Sequence, residues 1–248
     1  MEVSYTEEKQ TGQEGLFLDK VLGFTGLAVL FTGLFGWAYG RTILHLFSTD
    51  DGIITSQGIT VILIVLTVAV VSSMLISIFA TAAAWKSNKT PIVAYIAYII
   101  LEGLMFGSIV ALGIEPLAIG IAFGITAVSF LACFAIGYLS KGRVQGAKMA
   151  LMIISVGLLI NFLTFGIWYL VFPSTFYAIY PIVSIILFVV ASLYIIIDSN
   201  SVKNRIKDGY ALTTGLALTC AFTLYTDFMY LFWRVLRLII MLFGRSKR

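Results

Sequence analysis

Residues 224–243 read LYTDFMYLFWRVLRLIIMLF. The run is long and apolar enough to cross a bilayer, yet Asp227, Arg234 and Arg237 interrupt it. A charge at the bilayer centre costs about 3 kcal/mol on insertion scales. The surrounding residues show how such a helix is organised. Cys220, Thr223, Asp227, Tyr230, Arg234 and Arg237 follow at spacings of 3, 4, 3, 4 and 3. That rhythm places all six on one face of an α-helix, so the stretch reads as a membrane helix with a polar stripe.

The rest of the chain agrees. Of 248 residues, 60% are hydrophobic and 11% charged, and the mean hydropathy is +1.03. A soluble domain has roughly 25% charged residues. Too few polar side chains exist to cover a water-facing surface, so the solvent is lipid. The net charge of +4 is then a topology signal, and no nucleic-acid partner is expected. Cys133 and Cys220 both lie in apolar runs, which is not a disulfide framework. His45, the single histidine, leaves no His-rich metal site. Residues 1–16 carry Glu2, Glu7, Glu8 and Glu14, unlike the basic start of a cleaved signal peptide.

A spanning helix needs about 20 apolar residues. Seven stretches qualify, near 21–45, 58–84, 91–112, 116–139, 148–171, 177–200 and 213–241. Open-edged sheet is excluded in lipid. The expected fold is all-α: one polytopic domain over 1–248, with a polar cytoplasmic tail at 1–16 and a basic tail at 243–248. Three alternate connections hold eight basic residues: Lys86 and Lys89; Lys141, Arg143 and Lys148; Lys203, Arg205 and Lys207. The other three hold only Arg41. The positive-inside rule puts the first set, and the N-terminus, in the cytoplasm. Arg245, Lys247 and Arg248 at the C-terminus disagree with a seventh crossing. Either the last segment crosses despite them or it dips in and returns; its length favours crossing.

Intramembrane acids face a bundle interior or a wet cavity and often mark an ion or proton path. Asp227 and Glu102 are the deepest. Glu102 shares a helix face with Tyr95 and Tyr98, at spacings of 3 and 4. Asp198 stands where the sixth apolar run stops, in LYIIIDSNSVKNRI. If the last two segments form a hairpin that turns in DGYALTTG (208–215), with an N-cap at Thr213 or Thr214, Asp198 and Asp227 reach similar depth. Two carboxylates close together in low dielectric cannot both ionise freely and titrate as one unit. Deprotonated, they are hard oxygen ligands suited to Ca²⁺. The structural alternative is that these residues only join helices by hydrogen bonds, with Arg234 and Arg237 snorkelling to the interface. Tyr98, Thr223, Tyr230, Arg234 and Lys86 are candidate supporting groups.

LYTDFMYLFWRVLRL resembles the signature of the Bax inhibitor-1 family, also called the transmembrane Bax inhibitor motif family. The likeness rests on Leu224, Tyr225, Asp227, Phe228, Leu231, Phe232, Leu236 and Arg237. LYIIIDSNSVKNRI resembles the family's acidic motif, with Asp198 at the matching place. PIVAYIAYIILEGLMFGSIVAL resembles the third helix of a bacterial branch at Glu102 and Gly103, and so implies a bacterial plasma membrane. The resemblance implies seven helices, the last surrounded by the other six. It also implies a pH-sensitive Ca²⁺ leak that senses protons through Asp198 and Asp227. Some members keep an arginine near the cytoplasmic end of the second helix that latches to an aspartate; here that region offers Lys86 and Lys89 and no arginine. Family roles in cell-death suppression and protease modulation imply a membrane-protein partner. Beyond lipid, Ca²⁺ and protons, no cofactor is expected. No enzyme is expected either: Asp198 follows Ile-Ile-Ile, without the Gly-x-Gly-Asp motif of intramembrane aspartyl proteases.

Overall fold

The computed structural model describes the backbone of residues 2–49, 54–87, 92–140, 173–208 and 210–246, and the side chains of 14–49, 54–80, 92–140, 183–208 and 210–241. These residues form six α-helices: α1 (Glu2–Phe47), α2 (Ser56–Ser87), α3 (Ile92–Ala111), α4 (Pro116–Leu139), α5 (Pro173–Lys207) and α6 (Thr214–Ser246). All six are long and apolar enough to cross a membrane. The span expected at 148–171 lies outside the described residues. The chain divides into two compact units: residues 1–117 with 210–229, and residues 118–209 with 230–248.

In the first unit, α1 buries Phe17, Val21, Thr25, Ala28, Thr32 and Ile43. These recur every three to four residues or a sum of such steps, marking one helix face. The other face stays apolar: Leu27, Leu30, Phe31, Leu34 and Trp37 are exposed, as lipid solvent allows. Two glycine pairs bring α1 against α3. A Cβ on Gly36 would lie 2.7 Å from the Gly103 carbonyl oxygen, and one on Gly40 would lie 2.7 Å from that of Gly107. A Cβ on Gly107 would strike the Gly36 carbonyl oxygen. Small residues four apart on both helices allow this backbone approach. Between α3 and α4 the chain turns at Gly113, whose φ of 77° favours glycine, and Pro116 opens α4. Thr213 caps α6: its Oγ1 accepts from the Leu216 N–H at 3.2 Å. This is one of the two caps expected from sequence.

In the second unit, α4 buries Ala118, Ala122, Thr126, Phe130, Phe134 and Gly137. Gly137 lets α5 approach so closely that a Cβ there would strike the Ile196 carbonyl oxygen. Side chains of α5 then bind carbonyls left over at the end of α4. Asn200 Nδ2 donates to Gly137 O at 3.3 Å, and Lys203 Nζ to Ser140 O at 2.8 Å. Carbonyls at the end of a helix lack the next turn's N–H groups and take such donors readily.

Candidate functional site

The first unit gathers the polar residues of α3 and the first half of α6. On α3, Tyr95, Tyr98 and Glu102 are all buried, with Glu102 only 3% exposed. The spacing read from sequence therefore does define the inward face. The Tyr98 hydroxyl donates to the Glu102 carboxylate, and the Asp227 carboxylate also acts electrostatically on Tyr98. Glu102 acts in the same way on Tyr225. Two acids thus bear on one buried phenol.

Four rings frame the cluster. Tyr98 meets Phe222 and Tyr225 edge-on, with centroids 5.6 and 5.7 Å apart and planes at 89° in both cases. Tyr95 lies 5.5 Å from Phe222 and 5.7 Å from Tyr225. Edge-to-face contact sets positive ring edges against negative faces. Two phenols are tied to α1. Tyr95 donates to Phe24 O at 3.0 Å. Tyr225 bonds to Thr32 Oγ1, and Thr32 Oγ1 donates to Ala28 O at 2.9 Å. A hydroxyl has one proton, so Tyr225 is the donor to Thr32. Thr25 reaches both Val21 O at 2.9 Å and Ala221 O at 3.4 Å.

The remaining residues singled out in the sequence differ in burial and partners. Asp198, on α5 in the second unit, is 7% exposed and followed by buried Ser199 and Asn200. Asp227 is half-buried, with Oδ2 fully enclosed. Thr223 donates to Thr219 O at 3.2 Å, within its own helix. Tyr230 is exposed; Arg234 donates to its hydroxyl at 3.1 Å and lies 4.8 Å above its ring. Arg237 is exposed. The stripe thus borders the buried ridge of α6, which runs through Ala217, Ala221, Leu224, Tyr225, Leu231, Phe232 and Leu236. The Lys86 side chain lies outside the described residues. Among the described residues no group of three or more His, Cys, Asp or Glu is placed to hold a metal ion.

Sequence reasoning missed Thr32 and the glycines of the α1–α3 contact. The glycine pairs had a readable signal, G-x-x-x-G at Gly36–Gly40 and at Gly103–Gly107. Thr32 had none.

A family model described as "Inhibitor of apoptosis-promoting Bax1" matches residues 15–245. No curated protein matches the chain.

Proposed function

The chain belongs to the Bax inhibitor family and is an integral membrane protein, and from that premise we propose that it is a proton-responsive leak path for calcium ions. The observation that carries this reading is the retention of buried acids inside spanning helices: Glu102 at 3% exposure and Asp198 at 7%, with an enclosed oxygen on Asp227. Each such acid opposes insertion by a few kcal/mol, a cost that packing alone can avoid with apolar side chains.

In this reading Asp198 and Asp227 share a proton, which holds the path shut; loss of that proton frees two carboxylates for a passing Ca²⁺. The pairing supposes a hairpin that turns within residues 208–215, which brings both acids to similar depth. Glu102 and Tyr98 line the route beside Asp227, and Lys86 supplies a cytoplasmic cation. We place the protein in a bacterial plasma membrane with a cytoplasmic N-terminus. It has seven spans, the last enclosed by the others; the 61% burial of the apolar 18-residue window of α6, highest of the six helices, supports this. The reading includes no catalytic residue.

The test is Ca²⁺ flux in proteoliposomes across a pH series. Wild-type protein should conduct more as pH rises, and Asp227→Asn should flatten that response. Silent wild-type liposomes would end the proposal. A co-purifying membrane protein would then favour a non-conducting regulator of a protease or of cell death.

A further inference from the structure

The last two turns of α1 carry a feature that the leak path does not use. Between Lys20 and Arg41 lie twenty residues, Val21–Gly40, without a charged side chain. At 1.5 Å per residue they span about 30 Å, the thickness of a bilayer hydrocarbon core. Arg41 therefore stands at headgroup depth, and exposed Trp37 one turn earlier fits the aromatic belt at that boundary. An open cavity of about 500 Å³ lies there, lined by Arg41, Thr42, Leu44, His45, Leu46 and Ser48. That volume is in the range of small-molecule pockets.

The lining assigns the chemistry. Thr42 and Ser48 spend their hydroxyl protons on their own helix, donating to Ala38 O at 2.9 Å and Leu44 O at 2.5 Å. The donors left for a ligand are the Arg41 guanidinium and the His45 imidazole. They are four residues apart on one helix face, and both are exposed. A planar guanidinium fork matches phosphate oxygens. Leu44 and Leu46 supply the apolar wall that a glycerol backbone and acyl chains require. The end of α1, which carries the cavity, is held against the start of α2: Ser48 bridges to Ile54, Thr55 N donates to Phe47 O at 2.8 Å, and a Cβ on Gly58 would lie 2.6 Å from Phe47 Cβ.

We propose that this cavity binds the phosphodiester of an anionic phospholipid in the leaflet where α1 ends, held by Arg41 and His45. The site is separate from the acidic cluster and stands whether or not the protein conducts ions.

Native mass spectrometry of the full chain, with phosphatidylglycerol titrated against phosphatidylcholine, tests it. Wild-type protein should retain one phosphatidylglycerol in preference. An Arg41→Gln, His45→Gln double variant should bind it about tenfold more weakly, the scale expected for two interfacial cations. Equal retention of both lipids, or an unchanged double variant, overturns the proposal. Inorganic phosphate that displaces the lipid at equal concentration would show a free-anion site and also overturns it. Asp50 and Asp51 follow closely in sequence, outside the described residues. Phosphatidylglycerol binding that strengthens tenfold in Asp50→Asn, Asp51→Asn would mark Arg41 as their ion-pair partner and count against a lipid site. A measurement on unaltered protein removes dependence on folding of the variants: a headgroup-photoactivatable phosphatidylglycerol must label the peptide containing residues 41–48. Labelling only elsewhere overturns the assignment.

Discussion

Helices α2 and α6 both cross the membrane but treat their surfaces in opposite ways. The α2 span, Ser56–Ala80, has no charged side chain, and only 17% of its 18-residue apolar window is buried. The α6 span carries Asp227, Arg234 and Arg237, and 61% of its 18-residue apolar window is buried. In water the more apolar helix goes inside. In lipid the hydrophobic effect does not drive helices together, and burial is governed by packing and by polar groups that need partners. The helix with the weakest claim to be in a membrane is therefore the one most covered by protein.

That contrast is easiest to break where covered and bare surfaces carry the same residue. Gly107 on α3 faces the backbone of α1 at Gly36 and Gly40, whereas Gly124 on α4 has nothing within 4 Å of an added Cβ. Gly107→Leu should lower stability by about 3 kcal/mol or more, because backbone cannot yield as a side chain can. Gly124→Leu should stay within about 0.5 kcal/mol of wild type. Unfolding of the purified chain in detergent measures both. Similar effects at the two positions would mean that α1 and α3 do not approach at their glycines.

A second test moves a charge from the covered helix type to the bare one. Val68 lies mid-span on α2 and is 58% exposed. Val68→Asp should oppose insertion by about 3 kcal/mol, read as lost membrane-integrated protein. Asp227→Asn keeps shape and removes charge from a partly enclosed site, and should shift stability by about 1 kcal/mol while altering flux. If Val68→Asp inserts as well as wild type, α2 does not face lipid.

The elements were legible to different degrees for physical reasons. The expectation for α4, 116–139, coincides with Pro116–Leu139, since Gly113 and Pro116 punctuate one end and the apolar run stops at the other. The first helix, expected from residue 21, begins at Glu2 instead. Hydropathy reports where lipid begins, not where hydrogen bonding does, and acids at a helix N-terminus favour helix. For the same reason α5 continues past Asp198 through SNSVKNRIK to Lys207. Within the site, Tyr95, Tyr98 and Glu102 were readable because one helix fixes their shared face. Thr32 was not, because its role depends on Tyr225, 193 residues away in sequence, and no local pattern encodes that meeting. The stripe of α6 was legible as a face, but sequence cannot say how fully a face is covered: Tyr230 and Arg237 on it are exposed.

The finest form of the comparison uses two threonines with the same local bond. Thr32 on α1 donates to Ala28 O at 2.9 Å, and Thr67 on α2 donates to Leu63 O at 2.8 Å. Both hydroxyls are satisfied by their own helix, so local structure predicts equal effects on replacement by valine. They differ in what else they do. Thr32 is buried and accepts from Tyr225; Thr32→Val leaves that phenol without its acceptor and should cost about 1–2 kcal/mol. Thr67 is exposed, and valine there exchanges a hydroxyl for a methyl in lipid, so the change should remain within about 0.5 kcal/mol. A Thr32→Val, Tyr225→Phe double variant sharpens the result. Removing both partners leaves no stranded donor, so it should recover part of the loss seen in Thr32→Val alone. Additive losses in that cycle would separate Thr32 from Tyr225.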